Sequence, residues 1–509
     1  MLNALVQGLG SLLTVEVGSY LMIGVLVGLV VGILPGLGSP GALALMLPFT
    51  FGLEPVSAFA MMLSMLAVTS ITGDITSILI GVPGEPSSAA LVVDGYPMTK
   101  QGQAGRALGA SLAANLVGAI FGAAVLAAVI PVVRPIVLSL RSGELFALTV
   151  LGLSFLGALS RGRTLKGLAA GAIGMLIATI GLDPQTGIGR FTFGQLGLWD
   201  GVAIVSVAMG LFAIPELLDL SLRGTAIAER APGRLGGLRT GARDVSRHLG
   251  LTLRCSALGA IVGMLPGMGG SVGQWIAYGH AVQSTPDKSR FGKGAIEGVI
   301  GPGAANNSKE GGSLIPTVLF GIPGGTTMAI LLGGMLIQGL VPGPSMLQEQ
   351  LPLTMSFVWV IVIANIIGVA ICTPLIGQLA RLTTVRASIV IPIITFFVYL
   401  GAYAQSRLTL DIWLTLIFGG IGVAMVALDW PRPPLMLGIV LGELAERYLF
   451  RAVAGDGYNW MLRPSVLVIL LLTLVVIFSG VRGDVVERRR TVRGAGEHET
   501  ESAEARDGD

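Results

Sequence analysis

Charged side chains are scarce in this chain of 509 residues. They make up 12% of it, against about 25% in a soluble domain. That leaves too little polar surface to coat a globule of this length, which excludes an ordinary soluble protein. Cysteine is nearly absent. Cys255 and Cys372 both lie in apolar segments, which argues against a disulfide framework or a thiolate metal site. The three histidines, His248, His280 and His498, are too scattered for a metal cluster. No Lys or Arg occurs before Lys100, so the start lacks the basic region of a cleavable signal peptide. No phosphate-binding loop is visible, so ATP is not expected to drive the chain directly. No Ser–His–Asp arrangement is visible either, and no enzymatic activity or cofactor is expected.

What the chain has instead is hydrophobic length. Hydrophobic residues reach 53% and the mean hydropathy is +0.81. Apolar runs able to cross about 30 Å of hydrocarbon recur end to end, among them 18–34, 106–131, 143–160, 200–220, 352–375, 409–428 and 464–482. The fold class expected is an all-α polytopic membrane protein with about 12 transmembrane helices.

Glycine is abundant, at 75 residues, and much of it sits in two related stretches. Gly28–Gly38 reads GLVVGILPGLG and Gly259–Gly269 reads GAIVGMLPGMG, identical at seven of eleven positions. A second matched pair follows in the same order: ILIGVPG at Ile78–Gly84 and VLFGIPG at Val318–Gly324. Two ordered matches point to an internal duplication. Charge then gives each half a direction. Lys100–Arg106 follows the first pair of motifs and reads as cytoplasmic, whereas 333–352 follows the second pair and has no Lys or Arg. The halves therefore read as inverted repeats, with the N-terminus periplasmic and the C-terminus cytoplasmic. The expected organisation is a first repeat half at 1–220, a basic cytoplasmic linker at 221–248 with six arginines, a second half at 249–483 and a disordered cytoplasmic tail at 484–509.

Proline and glycine break helices. A break inside lipid survives only where protein, water or ligand satisfies the freed backbone groups. Matched breaks in two halves are the best sequence pointer to a transport site, and half-helix N-termini suit a carboxylate. The candidate substrate-binding residues are Gly36, Gly38, Pro83, Gly84, Ser87 and Ser88 in the first half. In the second half they are Gly267, Gly269, Pro323, Gly324, Thr326 and Thr327. Asp74, Ser77, Asn306 and Asn307 are the cation-site candidates, for Na⁺ or H⁺. Asp74 reads either as an intramembrane carboxylate or as a loop residue near a membrane face. Lys309 and Glu310 are adjacent and would point in different directions from a helix; Lys309 could pair with a substrate carboxylate. Glu297 reads as an interfacial residue, and Glu443–Arg447 as a structural i,i+4 pair.

At these residues the chain resembles the large membrane subunit of the tripartite tricarboxylate transporter family, the TctA type, over roughly residues 18–480. The resemblance is carried by GILPGLG (Gly32–Gly38), LPFTFGLEP (Leu47–Pro55), DGYPMTKQGQAGRAL (Asp94–Leu108), AANN (Ala304–Asn307), SLIPTVLFGIPG (Ser313–Gly324) and GLVPGP (Gly339–Pro344). It implies a secondary importer of citrate-like or other organic acids, coupled to Na⁺ or H⁺. It also implies a small membrane subunit and a periplasmic binding protein as partners, an elevator-type fold with re-entrant hairpins at the PG motifs, and the bacterial inner membrane as location. No nucleic acid is implied, and monomer and homodimer both stay open. Two places depart from the family pattern. TSITGDITS at Thr69–Ser77 stands where members commonly have a Tyr–Gly–Gly-rich stretch. Gly303 stands where members commonly carry an acidic residue, and Lys309–Glu310 is added after it. A channel, an intramembrane enzyme and a binding-only scaffold are the rival readings, and substrate-dependent uptake separates them from an importer.

Overall fold

The computed structural model describes residues 1–33, 38–158, 163–223, 236–266, 269–382 and 387–504. The chain is built from helices in this order: α1 (Leu2–Leu12), α2 (Val15–Val31), α3 (Gly38–Met46), α4 (Pro55–Ile80), α5 (Ala89–Lys100), α6 (Ala104–Ser139), α7 (Ser142–Ala158) and α8 (Thr164–Ile177). A two-residue hairpin pairs Gly181–Leu182 with Gly189–Arg190. Then come α9 (Ile204–Ala208), α10 (Ile214–Arg223), α11 (Leu238–Arg247), α12 (Leu249–Met264), α13 (Gly269–Ser284), α14 (Glu297–Phe320), α15 (Thr326–Ile337) and α16 (Pro344–Leu347). The last are α17 (Leu351–Leu382), α18 (Ala387–Ser406), α19 (Thr409–Ala427), α20 (Arg432–Asp456) and α21 (Pro464–Glu504). Among the described residues, six helices are long and apolar enough to cross a membrane, and α1 with α2, bent by 77°, makes up to seven. Five shorter apolar helices accompany them. The protein is a multi-pass, all-α membrane protein.

The helices fall into two compact units. The smaller, 141–179 with 425–509, packs α7, α8, α20 and α21. Trp460 is fully buried there among Ala147, Ala452 and Val466, with Phe146 against its ring. Glu144 accepts from Ser465 at 2.7 Å, and Asp484 accepts the Thr164 N–H at 2.7 Å. The i,i+4 contact of Glu443 with Arg447 forms on α20.

The larger unit, 1–140 with 180–424, holds every described site candidate. Its core is α4, α6 and α14, and α14 is buried from Glu297 through Leu319. Lipid cannot supply a hydrophobic drive between helices, so close backbone approach through small residues takes that role. Gly28 of α2 lies against Met65 of α4, and Gly32 against Thr69. Gly259 of α12 lies against Ala305 of α14, and Gly263 against Lys309. The two sets are the same contacts in the register of the sequence repeat.

The ends of α4 and α14 also match. Each stops at a glycine in the left-handed region, Gly81 (φ 71°) and Gly321 (φ 69°), which caps a helix without the cost a Cβ would bring. The chain then doubles back. A Cβ on Gly84 would lie 2.5 Å from Thr76 Oγ1 and 2.7 Å from the Gly32 carbonyl oxygen. A Cβ on Gly324 would lie 2.7 Å from Ser313 Cβ and 2.9 Å from the Gly263 carbonyl oxygen. Each loop thus returns alongside its own helix before α5 or α15 leads away, forming a helical hairpin.

The two hairpins face opposite ways. At one end Thr99 Oγ1 donates to the Ile78 carbonyl (2.7 Å), and Asp94 accepts the N–H groups of Gly294 and Ala295 (2.9 Å each) just ahead of α14. At the other end Gln338, past the end of α15, donates to the Thr50 carbonyl (2.6 Å), ahead of α4. Helices α4 and α14 therefore run antiparallel.

Candidate functional site

The tips of the two hairpins share one cavity of about 190 Å³. From the first repeat it is lined by Pro40, Glu85, Pro86 and Ser87. From the second come Gly263, Lys309, Glu310, Ser313 and Gly324–Met328. Four substrate-site candidates, Ser87, Gly324, Thr326 and Thr327, are thus brought together. Thr326 and Thr327 open α15, where the first N–H groups of the helix lack intrahelical partners and favour an anion. Pro83, Gly84 and Pro323 shape the returning loops, and Gly38 opens α3 with φ 52°. Ser88 is buried; its hydroxyl donates to the Glu85 carbonyl at 2.8 Å and accepts from the Ser77 hydroxyl at 2.8 Å. Gly36 and Gly267 lie outside the described residues.

Among the described lining residues, three side chains are ionisable: Glu85, Lys309 and Glu310. Lys309 and Glu310 do not point apart, as adjacent helical residues would be expected to. Their side chains converge, with Nζ 3.5 Å from Oε1. The physical reason is burial: both side chains are under a tenth exposed, and an unpaired buried charge costs far more than bending two long side chains toward each other. Glu85 caps the short 3₁₀ turn Pro86–Ser88, its carboxylate taking the Ser88 N–H. Its Oε2 is buried and has no partner.

Next to this cavity a polar cluster crosses the core. Asp74 is 1% exposed, within α4 and not in a loop. Asn115 donates to its Oδ2 at 2.6 Å and Ser111 at 3.1 Å, both from α6. Asn306 of α14 donates to its Oδ1 at 3.0 Å and to the Ser70 carbonyl at 3.1 Å. Asn307 donates to the side-chain oxygens of Asn115 (3.2 Å) and of Asn365 on α17 (2.8 Å). The side-chain oxygens of Asn306 and Asn307 are buried without a donor. Two oxygens with free lone pairs near a carboxylate are groups a small hard cation can use. Ser77 is not part of this cluster; its hydroxyl bonds Ser88 and the Gly73 carbonyl (3.1 Å). Glu297, expected at an interface, is buried against Arg290 at 2.7 Å.

Glu85, Ser111, Asn115 and Asn365 escaped the sequence reading. The signal for the last two was present: a single amide inside a long apolar run is expensive in a membrane and marks a function or a partner.

No solved structure matches the chain. Among curated proteins it is 32% identical over 476 residues to an uncharacterized 52.8 kDa protein of the TAR-I ttuC' 3' region of Agrobacterium vitis, covering 93% of this chain and 95% of that one. It is 31% identical over 237 residues to an uncharacterized protein of the TAR-II ttuC' 3' region of the same organism, covering 46% of this chain and 98% of that one. Residues 19–437 match the family described as the tripartite tricarboxylate transporter TctA family. With four-fifths of its length matched and the repeated glycine motifs inside the match, the chain belongs to the tripartite tricarboxylate transporter TctA family.

Proposed function

We propose that this chain is the translocating subunit of a secondary importer for a small organic anion, a tricarboxylate, dicarboxylate or related carboxylate, in the bacterial inner membrane. The observation that carries this reading is the cavity where two oppositely directed hairpin tips meet. It offers what a carboxylate needs: a lysine, four hydroxyls and the start of a helix. Na⁺ or H⁺ supplies the drive, with Asp74, Asn306 and Asn307 as the cation site. A small membrane subunit and a periplasmic binding protein complete the system, as the tripartite family implies.

The antiparallel course of α4 and α14 supports an inverted repeat, with the N-terminus periplasmic and the C-terminus cytoplasmic. In that arrangement the two hairpins approach the cavity from opposite membrane faces. An elevator movement of the larger unit's hairpins is the form of alternating access that fits.

The test is uptake of radiolabelled citrate, succinate and lactate into proteoliposomes holding the chain, its small partner and its binding protein. Accumulation of one of these acids under an inward Na⁺ or H⁺ gradient supports the reading. Equilibration without accumulation under any gradient would make the protein a channel. No movement of any acid with all components folded would remove the importer assignment.

A further inference from the structure

The cavity has an odd charge count for an anion site. Among its described lining residues are one cation, Lys309, and two carboxylates, Glu85 and Glu310, a formal sum of −1. A substrate carboxylate adds at least one more negative charge. Lys309 is also already engaged, its Nζ 3.5 Å from Glu310 Oε1, with both side chains under a tenth exposed. An incoming carboxylate at the lysine competes with Glu310 for the same ammonium charge. Once it binds there, Glu310 is left without its counter-charge, beside a second anion and Glu85. Glu85 offers no relief: its Oε2 has no donor, and its carboxylate meets the Ser88 N–H.

Resting on the importer reading, we propose that Lys309 and Glu310 are the coupling pair: substrate replaces Glu310 on Lys309, and Glu310 leaves the ion pair as the neutral acid, carrying the co-transported proton. The balance is simple. A proton from the outer side binds the Glu310 carboxylate as the substrate carboxylate binds the ammonium, so the cavity's net charge is unchanged by a monoanion. On the inner side the substrate leaves, Lys309 re-pairs with Glu310, and the proton is released. No bond between heavy atoms forms or breaks.

The groups facing Glu310 are few. Lys309 lies on its own helix and Glu85 precedes the 3₁₀ turn; the remaining described lining residues from α3, α12, α14 and α15 carry no ionisable side chain. Asp74 on α4 is separately held by Asn115, Ser111 and Asn306. Those donors do not depend on Lys309, so loading the lysine with substrate changes the partner of Glu310 and not that of Asp74.

The experiment compares wild type with Glu310→Gln and Lys309→Met in the complete three-component proteoliposomes, using whichever of citrate, succinate or lactate the wild type exchanges best. Counterflow, which needs no net proton movement, tests the importer reading by itself in the wild type. Glu310→Gln is expected to lose accumulation driven by a pH gradient far more than it loses counterflow, and its half-saturation should no longer vary across roughly pH 5–8. Lys309→Met is expected to raise the half-saturation roughly tenfold or more, because it removes a charge-assisted pair. Accumulation by Glu310→Gln under a pH gradient overturns the proposal while leaving the importer standing, as does wild-type accumulation that follows Na⁺ alone at constant pH. Where Glu310→Gln shows no counterflow, a pH-indicator measurement on wild type decides. Proton uptake on adding the same acid supports the pair, and its absence overturns it.

Discussion

Asp74 accepts three side-chain hydrogen bonds from two helices, α6 and α14. A buried carboxylate deprived of one donor carries the desolvation penalty of that bond, about 1–3 kcal/mol. Asn306→Leu is therefore expected to lower unfolding stability in detergent by about that amount. The loss should shrink when Asp74→Asn is added, because the two residues share one interaction. Additive losses in that double-mutant cycle would show that Asn306 acts elsewhere. For transport, Asp74→Asn is expected to abolish Na⁺ stimulation of uptake of the labelled acid while leaving the protein folded and the pH-gradient-driven part, assigned to Glu310, in place. Full Na⁺ stimulation in Asp74→Asn would remove Asp74 from the cation site. Asp74 was legible because one acidic residue in an uncharged stretch stands out. Asn115 and Asn365 were legible only residue by residue, since each lies in a run apolar enough to read as a plain span, and hydropathy averages away a single amide. Ser77 was legible as a polar neighbour, but its rotation about α4 aims it at Ser88 and not at Asp74.

Broken helices are visible in sequence because proline and glycine leave a local signature, and both hairpins sit where the PG motifs placed them. Helix α4 is the counter-case. It is long and apolar enough to be a span, yet 94% of its most apolar window is buried inside the protein. Its serines, threonines and Asp74 are what such a buried position permits, and they weaken its hydropathy signal. The equivalence of the hairpins gives a paired prediction. Gly84→Ala and Gly324→Ala would each push a methyl against a carbonyl oxygen at 2.7 and 2.9 Å, respectively. Overpacking of this kind costs about 1–3 kcal/mol, so both variants should melt lower and transport more slowly. Gly377→Ala on α17, where no atom lies within 4 Å, should behave as wild type. A loss at only one of the two loops would mean that the repeats are not equivalent under load.

At the scale of the whole larger unit, three basic segments far apart in sequence gather at one end. Arg106 pairs with Asp244 at 2.6 Å, which docks α11 on α6. Gln101 donates to the Lys293 carbonyl at 2.7 Å, which joins the Lys288–Lys293 turn to the same end. Lys100, Arg239, Arg243, Arg247 and Arg290 share those segments, and such clusters mark a cytoplasmic face. The segment 333–352, without Lys or Arg, lies toward the other end through the Gln338 bond to Thr50. This orientation makes a direct prediction. The native Cys255 and Cys372 are buried, so an impermeant maleimide should report only an introduced cysteine. Gln101→Cys should react in inside-out vesicles and Gln348→Cys in right-side-out vesicles. Labelling of both from one side would end the inverted arrangement, and with it the need for a moving barrier at the cavity. Labelling from opposite sides would mean that the chain leaves the two hairpins at different faces of the membrane. A carboxylate held between them at Lys309 could then be released to either side by moving one tip at a time, which is the geometric condition for alternating access.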